Sequence, residues 1–282
     1  MKLLRAIRIV LAILFLAASI AYFFTAGRIH HDTEFAQTAQ LVPSALSYGM
    51  GALLFWLCVT MLVGRFYCST VCPVGTLSDL MMRLRRRIFR RQIEGAGPFR
   101  YKPAKRWRYH VLALYLLCLL FGLAVPVSAV VPYVLEPWNI MRNVSGVANP
   151  EAFAFTWGTL GIGMLAGIIA GFAMLMVVLI WGFISGRDYC NTICPIGVAL
   201  GAIDKYSLLH VEIDPDKCIS CMKCEETCRS SCVKVVGRYV DNTRCVRCLD
   251  CITVCPTEAI RLQGNRNRPA TPLMRRRRRT YN

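Results

Sequence analysis

The sequence predicts a fold in two parts. An all-α membrane domain of four helices, arranged as two hairpin repeats, occupies residues 1–209. A small α+β module follows at 210–264, and a basic tail closes the chain at 265–282. Three observations predict this. Long apolar segments fill the first two thirds of the chain. One twelve-residue cysteine motif occurs twice. Two runs of four closely spaced cysteines crowd into residues 218–255.

The membrane domain rests on composition. The 282 residues are 55% hydrophobic with a mean hydropathy of +0.44, too apolar for an ordinary soluble protein. Four segments, 7–26, 45–64, 110–131 and 157–184, each hold about the 20 apolar residues that a helix needs to cross a bilayer. The first is long and is followed by three more, so it reads as a retained helix and not a signal peptide. Lys and Arg set the orientation. The segment 1–8 holds 3, the loop 65–109 holds 12 and the region from 185 onward holds 17, whereas the other two loops hold only Arg28 and Arg142. Both termini and the central loop are therefore expected in the cytoplasm, and the loops near 27–44 and 132–156 outside.

The net charge of +18 does not mark a nucleic-acid binder. Residues 210–264 hold 8 basic and 8 acidic residues, so the excess sits on membrane-flanking loops and on the tail, where Arg275–Arg279 stand together. Topogenic signals and attraction to anionic lipid account for that distribution.

The hairpin repeat rests on the motif that follows the second and fourth spans. Gly64-Arg65-Phe66-Tyr67-Cys68-Ser69-Thr70-Val71-Cys72-Pro73-Val74-Gly75 matches residues 186–197, which read Gly-Arg-Asp-Tyr-Cys-Asn-Thr-Ile-Cys-Pro-Ile-Gly. Two parallel repeats would bring both copies to the same depth at the cytoplasmic face. Cys68, Cys72, Cys190 and Cys194 would then converge. They would either ligate a third iron–sulfur centre or another soft metal, or act as redox-active dithiols with each Pro ending its turn. Arg65 and Arg187 are candidates to stabilise thiolate or cofactor charge, or to anchor at the interface.

The module at 210–264 rests on Cys218-x2-Cys221-x2-Cys224-x3-Cys228 and Cys245-x2-Cys248-x2-Cys251-x3-Cys255-Pro256. Such tandem runs are the ligand pattern of a two-[4Fe–4S] ferredoxin, in which the fourth cysteine of each run serves the other run's cluster. Cys218, Cys221, Cys224 and Cys255 are thus expected on one cluster, and Cys245, Cys248, Cys251 and Cys228 on the other. Zinc sites space their cysteine pairs differently. Ile219, Met222, Val246, Leu249 and Ile252 would shield the clusters. Two departures stand out. Arg229 follows Cys228 where the second run has Pro256, and Cys232 is an extra thiol beside the first run.

Weaker candidates lie elsewhere. His31, in His30-His31-Asp32-x-Glu34, and Glu136, in Pro132-Tyr133-x-x-Glu136-Pro137-Trp138, are placed on the outer face as proton acceptors. Cys58 and Cys118 read as buried thiols inside spans. Gly163, Gly167 and Gly171 form a small-residue packing stripe. Dinucleotide-binding and haem-attachment motifs are missing from the sequence.

These motifs together resemble the membrane quinol dehydrogenase component of periplasmic nitrate reductase systems, the NapH type. The resemblance carries four spans, Gly-Arg-x-x-Cys-x3-Cys-Pro after spans 2 and 4, and the C-terminal ferredoxin module. It implies a bacterial inner-membrane subunit, with its ferredoxin module in the cytoplasm. Such a subunit oxidises quinol and passes electrons through iron–sulfur clusters to iron–sulfur or cytochrome c-type partners of a respiratory reductase. The different-class alternative is a metallocentre-assembly or metal-reducing factor, or a redox regulator, using the Cys-x3-Cys-Pro thiols.

Overall fold

The computed structural model describes residues 2–25, 50–88, 101–122, 140–141, 144 and 161–264. His31, Glu136 and the arginine tail lie outside these residues.

Helix α1 (Lys2–Thr25) and helix α6 (Gly161–Ser185) run 24 and 25 residues, about 36 Å each at 1.5 Å per residue. Both are long and apolar enough to cross a membrane, and only 17% of each apolar window is buried against protein. A core helix of a soluble protein would bury most of such a window; these turn Leu3, Val10, Leu14, Ile169 and Ile180 outward. The other apolar helices described are shorter: α2 (Met50–Val63) and α5 (Trp107–Gly122). Four helices thus lie on the four expected segments, and two of them meet the length criterion among the described residues. Cys58 on α2 is exposed and Cys118 on α5 half-buried, so neither is enclosed by protein as expected.

Each motif copy folds alike. The chain leaves α2 at Gly64 (φ 92°) and α6 at Gly186 (φ 69°), in the left-handed region that closes a helix without a Cβ clash. A short helix carries the first cysteine: α3 (Tyr67–Thr70) and α7 (Asp188–Thr192). The second cysteine precedes a proline that opens the next helix, α4 (Pro73–Ile88) or α8 (Pro195–Asp204). Proline ending a turn was the expectation. It starts a helix instead, because its missing N–H is one that the first turn leaves unpaired anyway.

The repeats pack crosswise. Helix α6 of the second repeat lies along α4 of the first, and α2 of the first lies along α8 of the second. Gly182 permits the closest approach in the first pair, with Ser78 at 3.4 Å from where its Cβ would be. One core results, holding Trp56, Tyr67, Val71, Val178, Tyr189 and Leu200 around all four motif cysteines.

The module is ferredoxin-like. Strand β1 (His210–Ile213) pairs antiparallel with β4 (Ile260–Gln263), His210 opposite Gln263, and β2 (Val233–Lys234) pairs with β3 (Tyr239–Val240). Helices α9 (Lys223–Thr227) and α10 (Asp250–Val254) pack against each other. Ser220, Met222 and Ser231 have positive φ, and so do Arg247, Leu249 and Glu258, each 27 residues later. The two cysteine runs are therefore copies of one loop, held in a sparsely populated backbone region so that three thiols turn inward.

Arginines join the two parts. Arg229 of the module pairs with Asp79 of α4 at 2.5 Å and with Asp250 of α10 at 2.6 Å. Asp79 also pairs with Arg187 at 2.7 Å, and Arg8 approaches it at 3.9 Å; Arg5 reaches Asp250 at 2.7 Å. Arg247 pairs with Asp204 of α8 at 2.9 Å and donates to the Val63 carbonyl. Burial pushes the Asp79 carboxyl up, but the Arg187 and Arg229 guanidiniums outweigh it and hold it well below the usual carboxylate range. Asp79→Asn leaves buried Arg187 without its carboxylate and Arg229 with Asp250 alone. The expected cost is about 3–5 kcal/mol, read as a lower thermal midpoint in detergent. Asp188→Asn, which breaks the more exposed Lys102–Asp188 pair, should cost less than about 1 kcal/mol. Equal effects of the two variants would show that the bridge does not hold the parts together.

Candidate iron–sulfur sites

All fifteen cysteines are free thiols. Three sets of four are candidates for clusters, and the fold treats them differently.

Cys228, Cys245, Cys248 and Cys251 line one small cavity under β2 and β3. Cys228, Cys245 and Cys251 are buried, and Cys248 packs beside Val246 against the core of the membrane domain. Cys218, Cys221, Cys224 and Cys255 form the outer set. Of these Cys224 is buried, Cys218 and Cys255 are half-buried and Cys221 is exposed. Ile219 is 64% exposed, so it does not shield the set as expected, whereas Val246 and Leu249 of the inner run are buried. The reason is position: the inner run has the membrane domain to pack against and the outer run has solvent.

The fourth cysteines sit in matched cradles. Cys255 Sγ takes backbone N–H bonds from Thr257, Ala259 and Ile260. Cys228 Sγ takes them from Ser230 and Cys232, the latter at 3.4 Å. Amides aimed at sulfur favour the thiolate that iron requires.

The third set joins the repeats. Cys68, Cys72, Cys190 and Cys194 line one small apolar cavity with Val74, Ile196, Gly75 and Gly197. All four are buried. A Cβ at Gly75 would collide with the Cys68 carbonyl, and one at Gly197 with the Cys190 carbonyl. Burial pushes the Cys72 thiol up to about 12 and the Cys190 thiol up to about 11. As free thiols they would stay protonated and react slowly, unlike the exposed low-pKa cysteines of dithiol switches.

The two motif arginines are exchanged between repeats. Arg65 donates to the Cys190 carbonyl at 3.3 Å, and Arg187 to the Cys68 carbonyl at 2.7 Å. Both are fully buried, which removes the interfacial-anchor reading. Their partners differ, because Asp79 of the first repeat is matched by Gly201 in the second. Arg187 is neutralised by Asp79. The hydrogen bonds of Arg65 among the described residues go to neutral groups: Asn191 Oδ1 at 2.8 Å, the Thr243 carbonyl at 3.2 Å, the Cys190 carbonyl, and Cys68 Sγ at 4.0 Å. Asp204 feels its charge without pairing with it, so the buried guanidinium has room for a closer anion. Four thiolates around iron would supply it.

The donor sets therefore fit iron–sulfur clusters. Among the described residues, no three Cys, His, Asp or Glu side chains gather as a single metal ion needs, with sulfurs about 2.3 Å from one centre. A multi-iron cluster instead takes its thiolates at separate corners. Sequence reasoning missed Asp79, Asp250 and the structural use of Arg5 and Arg8, since no local spacing links them to the cysteines.

Comparison with known proteins agrees. A family model described as a 4Fe-4S binding domain matches residues 48–92 and 163–210, one stretch over each motif copy. A second model, also a 4Fe-4S binding domain, matches residues 238–261. The ferredoxin-type protein NapH of Haemophilus influenzae is 29% identical over 67% of this chain and 56% of its own length. The methylamine utilization ferredoxin-type protein MauN of Paracoccus denitrificans is 28% identical over 66% and 56%. The putative electron transport protein YccM of Escherichia coli is 26% identical over 68% and 49%. The chain spans about half the length of these curated relatives. No solved structure matches it. The chain is similar to ferredoxin-type iron–sulfur electron-transfer proteins. More particularly, it is similar to the NapH-type polyferredoxins, as its motifs indicate.

Gly197→Ala is expected to lower the thermal midpoint and the iron content, because its Cβ displaces Cys190. Gly51→Ala, with nothing within 4 Å of its Cβ, should change neither. Full iron in Gly197→Ala would mean that the glycine is not needed for this close packing.

Proposed function

We propose that this chain is a quinol-oxidising electron-transfer subunit of the bacterial inner membrane. It would hold three [4Fe–4S] clusters and deliver electrons to an iron–sulfur or cytochrome c-type partner of a respiratory reductase. The observation that carries the reading is the order of the three cysteine sets. The motif set lies in the apolar core between the repeats, the Cys228 set abuts it through Val246 and Cys248, and the outer set ends at exposed Cys221.

Bound clusters would supply one-electron transfer at each set. The chain's own residues do the rest. The core around Cys68, Cys72, Cys190 and Cys194 excludes water. Arg65 and Arg187 place positive charge beside these sulfurs and favour the anionic form of what they hold. Arg229 and Arg247 lock the inner run of the module onto α4 and α8. The outer run presents Cys221 and Ile219 to a partner. His31 and Glu136 remain the proposed proton acceptors at the outer face. The apolar helices support membrane insertion, and the Lys/Arg distribution supports a cytoplasmic module. The quinol step is supported by the motif resemblance alone. A metal-delivery role is less well supported, because it needs thiols that can hand an ion on and all four motif thiols are buried.

Iron and acid-labile sulfide after anaerobic purification test the count. About twelve irons per chain are expected, and about eight in Cys194→Ala, at four per cluster. That variant should also lose quinol-driven reduction while keeping the module loaded. About eight irons in the unaltered chain would remove the third cluster. Ile219→Glu should keep all the iron but slow oxidation by the partner. An unchanged rate would move the exit elsewhere.

A further inference from the structure

The stretch after Cys228 departs from its copy after Cys255 in one way not yet used. The first reads Cys228-Arg-Ser-Ser-Cys232-Val233 and the second Cys255-Pro-Thr-Glu-Ala259-Ile260. The backbones agree, with positive φ at Ser231 and at Glu258. Cys232 therefore stands where the second copy has Ala259, and both are 1% exposed. At this place the inner site carries a thiol and the outer site a methyl group.

Cys232 lines the same cavity as Cys228, Cys245, Cys248 and Cys251, which makes five sulfurs around a site that needs four. Its Sγ lies 3.4 Å from Cys228 Sγ, and its side chain also hydrogen-bonds Cys245. The backbone cradle identifies which of the pair is the ligand. Cys228 receives the Cys232 N–H as Cys255 receives the Ala259 N–H. Cys228 and Cys245 must give up their protons to bind iron. Cys232 is then the group left with a proton, between two thiolate sulfurs in a dry interior where even a weak S–H donor counts.

We propose that Cys232 is a positioning residue whose thiol donates a hydrogen bond to the Cys228 sulfur and so raises the reduction potential of the inner cluster. Donors to ligand sulfurs stabilise the more negative, reduced state, and hydrogen bonding is one of the levers on cluster potential. The outer cluster, with Ala259 at the matching place, lacks this donor. The inference rests on the reading that Cys228, Cys245, Cys248 and Cys251 hold one cluster.

The test uses the full chain purified anaerobically in detergent, with Cys232→Ala, Cys232→Ser and the reciprocal Ala259→Cys. Iron per chain is counted, and the midpoint of each cluster is followed by electron paramagnetic resonance during redox titration. All variants are expected to keep the unaltered iron content. Cys232→Ala should lower one midpoint by up to tenfold in the reduction equilibrium, which is about 59 mV for one electron. Cys232→Ser, which keeps a donor, should stay closer to the unaltered value, and Ala259→Cys should raise a different midpoint. Full iron with unmoved midpoints in Cys232→Ala would overturn the proposal and leave the ligand assignment standing. Loss of about four irons in Cys232→Ala would show that Cys232 is itself a ligand, and the assignment of Cys228 would fall with the proposal.

Discussion

The structure depends on a group of arginines, most of them buried, that gathers where the repeats meet the module. Arg5, Arg8, Arg187 and Arg229 share two carboxylates, Asp79 and Asp250. Arg65 is fully buried and forms no ion pair among the described residues, with Asp204 feeling its charge only at longer range. Guanidiniums removed from water are costly unless paired. The motif cysteines and the inner run lie beside this charge, and thiolates bound to iron would add negative charge there. The arginines join the repeats to each other and to the module, in places where charge and packing reinforce one another.

Much of the site was legible in the sequence because ligand spacing is local. A run of cysteines two and three residues apart is a local ligand pattern, so spacing alone proposes both module sets. The twelve-residue repeat likewise pointed to Cys68, Cys72, Cys190 and Cys194 in one place, and the fold brings them there. The crosswise pairing of α4 with α6 and of α2 with α8 was not legible. Apolar helices carry little information about which neighbour they choose, and the deciding contact at Gly182 is a small residue facing Ser78. Nor was the role of Arg229, which departs from its local pattern for the sake of Asp79, 150 residues away in the chain.

Exposure grades along the three sets. The motif set has no open face, the inner set touches both parts of the molecule, and the outer set reaches solvent at Cys221. Such a gradient follows from one module lying with one run against the membrane domain. Identical loops thus acquire unlike surroundings, and unlike surroundings are what separate the properties of chemically equal clusters. The exposed Ile219 belongs to the same pattern. A residue read as a shield from its own loop becomes surface because its loop is the one that faces away.

The crosswise packing bears on how the protein is made. Neither repeat owns a complete site, since Cys68 and Cys72 wait for Cys190 and Cys194, and Arg187 closes on Asp79 from the other copy. The first half leaves the ribosome about 120 residues before the second, on the order of ten seconds at typical synthesis rates. Arg229, which caps the bridge, comes later still. If the shared site takes up iron, it can do so only after nearly the whole chain is translated. A truncated product would expose half-sites that have thiols and arginines but no way to satisfy either, so quality control could recognise an unfinished chain by chemistry as well as by length.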